Sequence, residues 1–218
     1  MRLVIERVLA VALCWLAGTA PLAHGQSTLP LVEDVEIGPL RRHMERIRPA
    51  IGRILGSDDY TAAKRLLLAK DADGSEFGEK VQRIFDPYCL VGVSINPESR
   101  VKAARGPWEA KLVRGQELFI LVKVQNEAGV TQGLKVAGEQ LRTANETGKA
   151  RWLEASIHVG KPLEDRLTGQ RLEYVVLRLK AHEAGKREAV LKFDVGQGTQ
   201  DLGFRAEVPI LFNVKDSK

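Results

Sequence analysis

Phe204-Arg205-Ala206-Glu207-Val208-Pro209-Ile210-Leu211-Phe212-Asn213-Val214-Lys215 decides the reading of the fold. Phe204, Ala206, Val208, Ile210, Phe212 and Val214 fall on one side of a period of two, with Arg205, Glu207, Pro209, Leu211, Asn213 and Lys215 on the other. Only a β-strand separates such residues into a dry and a wet face. Pro209 has no N–H to give to a ladder, so this strand is expected at a sheet edge or with a bulge.

The same period runs back through the chain. Residues 188–195 and 172–181 flank Ala184-Gly185-Lys186-Arg187, which reads as a hairpin bringing Val175, Leu177 and Leu179 to Leu191, Phe193 and Val195. Residues 152–159 alternate with Leu153, Ala155, Ile157 and Val159 inward. Residues 134–137, 117–125, 100–104 and 88–95 read as further strands, Leu118, Ile120, Val122 and Val124 sharing one face of the strand at 117–125. About eight strands without intervening helices predict a mainly β fold, an antiparallel immunoglobulin-like sandwich over residues 87–218.

Ahead of Tyr88 the period changes to that of helices. Pro39 suits a first turn, Met44 and Ile47 share a face, and Pro49 either kinks or restarts the helix. Asp58 reads as the cap of a second helix presenting Ala62, Ala63, Leu66 and Leu67. Asp73 and Glu76 have capping-box spacing before Phe77, Val81, Ile84 and Phe85, and the pre-proline Asp86 ends that helix. Residues 37–86 therefore form a short helical segment whose last apolar face docks on the sandwich, and residues 26–36 are a linker.

Residues 1–25 have the order of an export signal: Arg2 and Arg7, the apolar run 8–16, then small residues up to Ala23-His24-Gly25. An uncleaved anchor is the alternative, against which the shortness of the run counts. The expected destination is secreted or periplasmic. Cleavage lowers the formal charge of +5 by one, since Arg2 and Arg7 leave with Glu6. That modest excess, with both signs interspersed, argues against nucleic-acid binding. Cys14 leaves too, so Cys89 has no disulfide partner within the chain. Its alternation with Val91, Val93 and Ile95 places its thiol on an apolar strand face, as a buried structural group.

No residue pattern announces a reaction. His43, His158 and His182 lack metal-ligand spacing, and neither a nucleophile elbow nor a Walker loop is present. Gly196-Gln197-Gly198 leads into a strand rather than a helix and reads as a turn, with Asp194 and Asp201 as turn caps or, alternatively, calcium ligands. Asp71-Ala72-Asp73-Gly74-Ser75 only partly imitates a calcium loop, and Asn145-Glu146-Thr147 is a sequon in form. No cofactor is expected.

Two surfaces suggest binding instead. Arg41, Arg42, Arg46, Arg48 and Arg53 crowd the first helical segment, either as a solvated face or as a contact for anionic lipid or an acidic partner. Membrane contact is expected only through that helix or an uncleaved signal. Trp152, Glu154, Ser156 and His158 fall on the polar side of their strand, a candidate platform for peptide or sugar unless Trp152 lies under a loop. Trp108, after Gly106-Pro107, is a candidate loop anchor.

Three segments carry a family resemblance. They are Ile95-Asn-Pro-Glu-Ser-Arg-Val-Lys-Ala-Ala-Arg-Gly106, Leu121-Val-Lys-Val-Gln-Asn-Glu-Ala-Gly-Val-Thr131, and Ala184-Gly-Lys-Arg-Glu-Ala-Val-Leu-Lys-Phe-Asp-Val-Gly-Gln-Gly-Thr-Gln-Asp-Leu-Gly-Phe204. Over roughly residues 88–214 the chain resembles the N-terminal accessory region of secreted bacterial metallohydrolases of the CehA/McbA type. In those enzymes the region precedes a histidine-rich catalytic domain of the polymerase and histidinol phosphatase class. Here the sequence stops at Lys218 without such a stretch, so no catalytic residue is carried over. The resemblance implies an immunoglobulin-like accessory module by itself.

The expected function is that of an exported, non-enzymatic interaction or accessory module, its partner a protein or an extracellular polymer. A non-catalytic part of a secreted metallohydrolase system and a carbohydrate-binding module are the alternatives.

Overall fold

The computed structural model describes residues 28–69, 74–142, 151–196 and 202–217. The signal at residues 1–25, Asp71 and Asp73, the sequon Asn145, and Gln197, Gly198 and Asp201 of the glycine turn lie outside them.

Helix α1 (Ile37–Ile51) runs through Pro49, which removes one hydrogen bond only from its last turn. Helix α2 (Ser57–Leu68) begins two residues earlier than a cap at Asp58 would require: Gly56 takes that place, and Asp58 and Asp59 stand in the first turn, where the helix dipole favours them. The Tyr88 hydroxyl accepts from the Gly56 N–H at 3.0 Å and donates to Asp59 at 2.8 Å, holding this start. Helix α3 (Gly74–Phe85) follows, and a 3-10 turn, Asp86–Tyr88, delivers the chain to the sheets.

Ten strands occur among the described residues: β1 (Cys89–Ile95), β2 (Val101–Arg105), β3 (Lys111–Val113), β4 (Glu117–Asn126), β5 (Lys135–Ala137), β6 (Leu141–Arg142), β7 (Leu153–Ile157), β8 (Leu172–Ala181), β9 (Gly185–Asp194) and β10 (Arg205–Lys215). They form a six-stranded sheet, β2-β1-β4-β8-β7-β6, and a four-stranded one, β3-β10-β9-β5. The fold is mainly β, and the expectation of purely antiparallel sheets is corrected, because β1–β4, β3–β10 and β6–β7 are parallel. After β1 the chain turns back along one edge as β2, crosses to the other sheet as β3, and returns to the opposite edge of β1 as β4. Burial alternates identically in parallel and antiparallel strands, so the pattern alone did not distinguish them.

The expected hairpin between β8 and β9 is also corrected. At Gly185, with φ +107°, the chain leaves one sheet for the other, and β9 pairs with β10 and β5. Leu177, Leu179, Leu191 and Phe193 still share one core, between the sheets rather than along a ladder. In β10, Pro209 faces Val190, whose N–H turns away to the Gln140 side chain. The expectation of an edge strand or a bulge is corrected: β10 lies between β3 and β9 in unbroken register, and Pro209 is accommodated because its imino nitrogen points away from β9, to the side where β3 pairs only with Asn213–Lys215.

Two buried layers result. Leu90, Val91, Val93, Val122, Val124, Leu177, Leu191, Phe193, Ile210 and Phe212 belong to the core between the sheets. Phe77, Val81 and Phe85 of α3 join Leu40, Met44 and Ile47 of α1 against Leu121, Tyr174 and Val176 on the outer face of the larger sheet. Each such fully buried side chain contributes on the order of 2 kcal/mol. A bulge between Cys89 and Val91 puts Cys89 into this helix-side layer, while Val91, Val93 and Ile95 stay between the sheets. The extra residue reverses the side that strict alternation assigned to Cys89.

Candidate functional site

Outward residues of β4 and β8 divide the larger sheet's outer face into a covered and an uncovered half. On the covered half, Lys123 lies at the centre of the sheet with its side chain 4% exposed, although apolar residues flank it along β4. Its Nζ donates to Asp86 Oδ2 at 2.7 Å and to the Pro30 carbonyl at 2.8 Å. The Tyr174 hydroxyl donates to the other Asp86 oxygen at 2.8 Å. Burial pushes the Asp86 carboxyl above its ordinary value, and the hydrogen bond and charge of Lys123 and the Tyr174 hydroxyl oppose the shift. Burial also pushes the Cys89 thiol and the Tyr174 phenol well up, Asp86 adding to both. Cys89 is thus a buried thiol, its Sγ 3.5 Å from the Phe85 carbonyl.

His43 of α1 takes the place of a neighbouring strand where β7 ends. Its Nε2 stands 2.9 Å from the Tyr174 nitrogen and 3.0 Å from the Tyr174 carbonyl, so one ring nitrogen, accepting from the N–H or donating to the carbonyl according to its tautomer, serves the buried backbone edge of β8. Burial, with a smaller contribution from the Arg46 charge, lowers its pKa to about 4, and the ring is neutral at physiological pH. On the same strand the buried Glu173 accepts the Thr168 N–H at 2.8 and 2.9 Å, tying down the preceding loop. These ionisable groups bind layer to layer.

The uncovered half is built differently. Register sets Glu154, Lys180 and Glu117 in one row and Ser156, Arg178 and Phe119 in the next. Arg178 donates to Glu117 at 3.2 Å and approaches Ser156 Oγ at 3.4 Å, its side chain 41% exposed. His158 meets the Phe119 ring edge-on at 4.9 Å between centroids, and the Arg53 guanidinium lies over that ring at 5.5 Å. His182 pairs with Glu154 at 2.8 Å. An aromatic surface flanked by two guanidiniums, with hydroxyl, imidazole and carboxylate beside it, is equipped to hold a partner's carboxylates and apolar groups together.

Of the expected platform, Glu154, Ser156 and His158 are on this surface and Trp152 is not. Trp152 is 8% exposed and packs in the core between the sheets, its ring 5.7 Å from Phe212. It precedes β7, so the alternation that begins at Leu153 does not govern it. Val159, expected inward, is 50% exposed because β7 ends at Ile157. Trp108 does anchor its loop: it packs on the core, and its N–H donates to the Cys89 carbonyl at 3.2 Å.

The arginines of the first helical segment do not form one stripe. Arg41 donates to the Leu67 and Ala69 carbonyls at the end of α2 and covers the Phe77 ring, Arg46 reaches His43, Arg48 pairs with Glu45, and Arg53 turns to Phe119. Sequence reasoning missed Lys123 and Glu173 as buried charges. Their signal was a charged residue inside a strand apolar on both faces, which requires a buried partner. Arg53 and Phe119 were not legible as a pair, since they lie on different layers.

No family model matches the chain, and no curated protein matches it. A solved structure, PbICP-C in complex with falcipain-2, aligns over 48% of this chain and 84% of that chain, at 10% identity and a TM-score of 0.29.

Proposed function

We propose that this chain is an exported, non-enzymatic accessory module that recognises a partner protein through the uncovered half of its larger sheet. The observation that carries the reading is the Arg53–Phe119–His158 cluster beside Arg178: an aromatic ring and a guanidinium on the sheet with a second guanidinium brought over it from the turn after α1, on a face whose other half is already occupied by the chain's own helices. An immunoglobulin-like reading of the two sheets, and the resemblance of residues 88–214 to the accessory region of secreted metallohydrolases, would accord with such a role, and the leader-like residues 1–25 would accord with export to the periplasm or beyond. A partner with acidic and apolar side chains matches the surface chemistry. The sugar-platform alternative loses its indole, since Trp152 is buried.

The test compares what the tagged mature protein retains from the exported fraction with what an Arg178→Glu variant retains. One defined protein bound by the first and lost by the second supports the reading. Identical retention by both, or stoichiometric metal with esterase or phosphoesterase activity in the purified protein, overturns it.

A further inference from the structure

The N-terminal residues 28–32 lie as a strap across the covered half of the sheet. Val32 is fixed by the Gln82 amide, which accepts its N–H at 2.8 Å and donates to its carbonyl at 2.9 Å. The Pro30 carbonyl is taken by Lys123, and Leu29 rests over Gly92, where an added Cβ would come within 2.6 Å of the leucine. Residues 30 and 32 thus turn their backbone groups toward the protein. The backbone groups of Leu29 and Leu31 make no hydrogen bond among the described residues, and the Leu31 side chain is 48% exposed.

Beside the strap lies a cavity of about 660 Å³ lined by Leu29, Leu31, Asp86, Pro87, Pro107 and Trp108. Its charges cancel in pairs: Asp86 with Lys123, Arg83 with Glu79, Glu109 with Lys111. The occupant that fits is therefore uncharged. Leu29 and Leu31, which line the cavity, keep backbone donors and acceptors without a hydrogen bond among the described residues, and these select a peptide over a lipid chain, since a peptide strand returns such hydrogen bonds while its alternate side chains enter the apolar space.

We propose that this cavity receives an uncharged, extended peptide segment of a partner protein, which adds as a strand to the free edge of Leu29 and Leu31 and places apolar side chains against Trp108. The site lies apart from the Phe119 surface and does not depend on it.

The probe is the peptide acetyl-Thr-Leu-Thr-Val-Thr-Leu-amide, titrated into the full mature chain and followed by NMR. The expected result is saturation below about 1 mM, with shifts at the Leu29 and Leu31 amides and the Trp108 indole. A Leu31→Pro variant, which loses one donor at an exposed position, binds roughly tenfold more weakly, and a peptide carrying Glu in place of Val binds more weakly too. Absence of saturation at millimolar peptide, shifts centred elsewhere, or equal binding by Leu31→Pro overturns the proposal.

Discussion

Lys123 Nζ sits 2.7 Å from Asp86 Oδ2, joining the middle of β4 to the turn that ends the helical segment. One ion pair therefore spans the junction between helical layer and sheet, and the Tyr174 hydroxyl and Pro30 carbonyl complete its hydrogen bonds. Lys123→Met keeps the stem but leaves Asp86 buried with only Tyr174, and is expected to cost about 3 kcal/mol. Lys123→Met with Asp86→Leu, which removes both charges, recovers a large part of that loss. Denaturant midpoints of the three proteins decide it, and equal losses in single and double variants would contradict the coupling.

Acid destabilises the chain through His43. Its folded pKa is depressed from 6.5 to about 4, so the unfolded chain takes up the proton first, and stability present above pH 6.5 drains away as pH falls toward 4. The loss is about 3 kcal/mol at pH 4. Asp86 and Glu173, whose values are raised, act oppositely: their burial favours the fold most below their unfolded values, and that benefit is lost as pH rises through the folded ones. Subtracting the stability profile of His43→Gln from that of the wild type isolates the histidine. A flat difference between pH 4 and 6.5 would refute the assignment.

Two glycines separate backbone clash from free space. At Gly106 a Cβ would stand 2.2 Å from the Cys89 carbonyl oxygen, in the loop that Arg105 clamps through the Leu90, Gly106 and Trp108 carbonyls. Gly106→Ala is expected to destabilise by more than about 2 kcal/mol. Gly38, in the first turn of α1, would meet nothing nearer than Arg42 at 3.5 Å, and Gly38→Ala is expected to stabilise by up to about 1 kcal/mol. Thermal unfolding of both variants checks the contrast in sign.

Trp152→Ala acts on the core. It is expected to cost about 3 to 5 kcal/mol by opening a cavity beside Phe212. An unchanged unfolding midpoint would show the indole to be at the surface.

Cys89, 0% exposed with its thiol pKa raised well above the ordinary value, should resist thiol reagents in the folded chain. Labelling is expected to follow global unfolding across a denaturant series. Rapid labelling in the absence of denaturant contradicts the burial.

Period-two alternation in 204–215 and 117–125 made strands and core faces legible, because burial acts on each side chain separately. It was silent on what depends on partners. Parallel pairing of β1 with β4, the crossing of the chain at Gly185 and the bulge at Cys89 leave almost no trace in alternation. Apolar spacing in α3 named its docking face correctly, since Phe77, Val81 and Phe85 are all buried. At the proposed binding surface, Glu154, Ser156 and His158 were readable from parity along one strand. Trp152 was misplaced for want of a strand start, and Arg53 and Phe119 meet only through tertiary packing.

Recognition through the Phe119 surface is tested most directly by placing a photoactivatable amino acid at Ser156 and, separately, at Leu211, an exposed residue of the smaller sheet. With the protein expressed in its own cells, illumination is predicted to give one discrete adduct from Ser156 and none from Leu211. No adduct at Ser156, or the same adducts at both positions, would contradict the account.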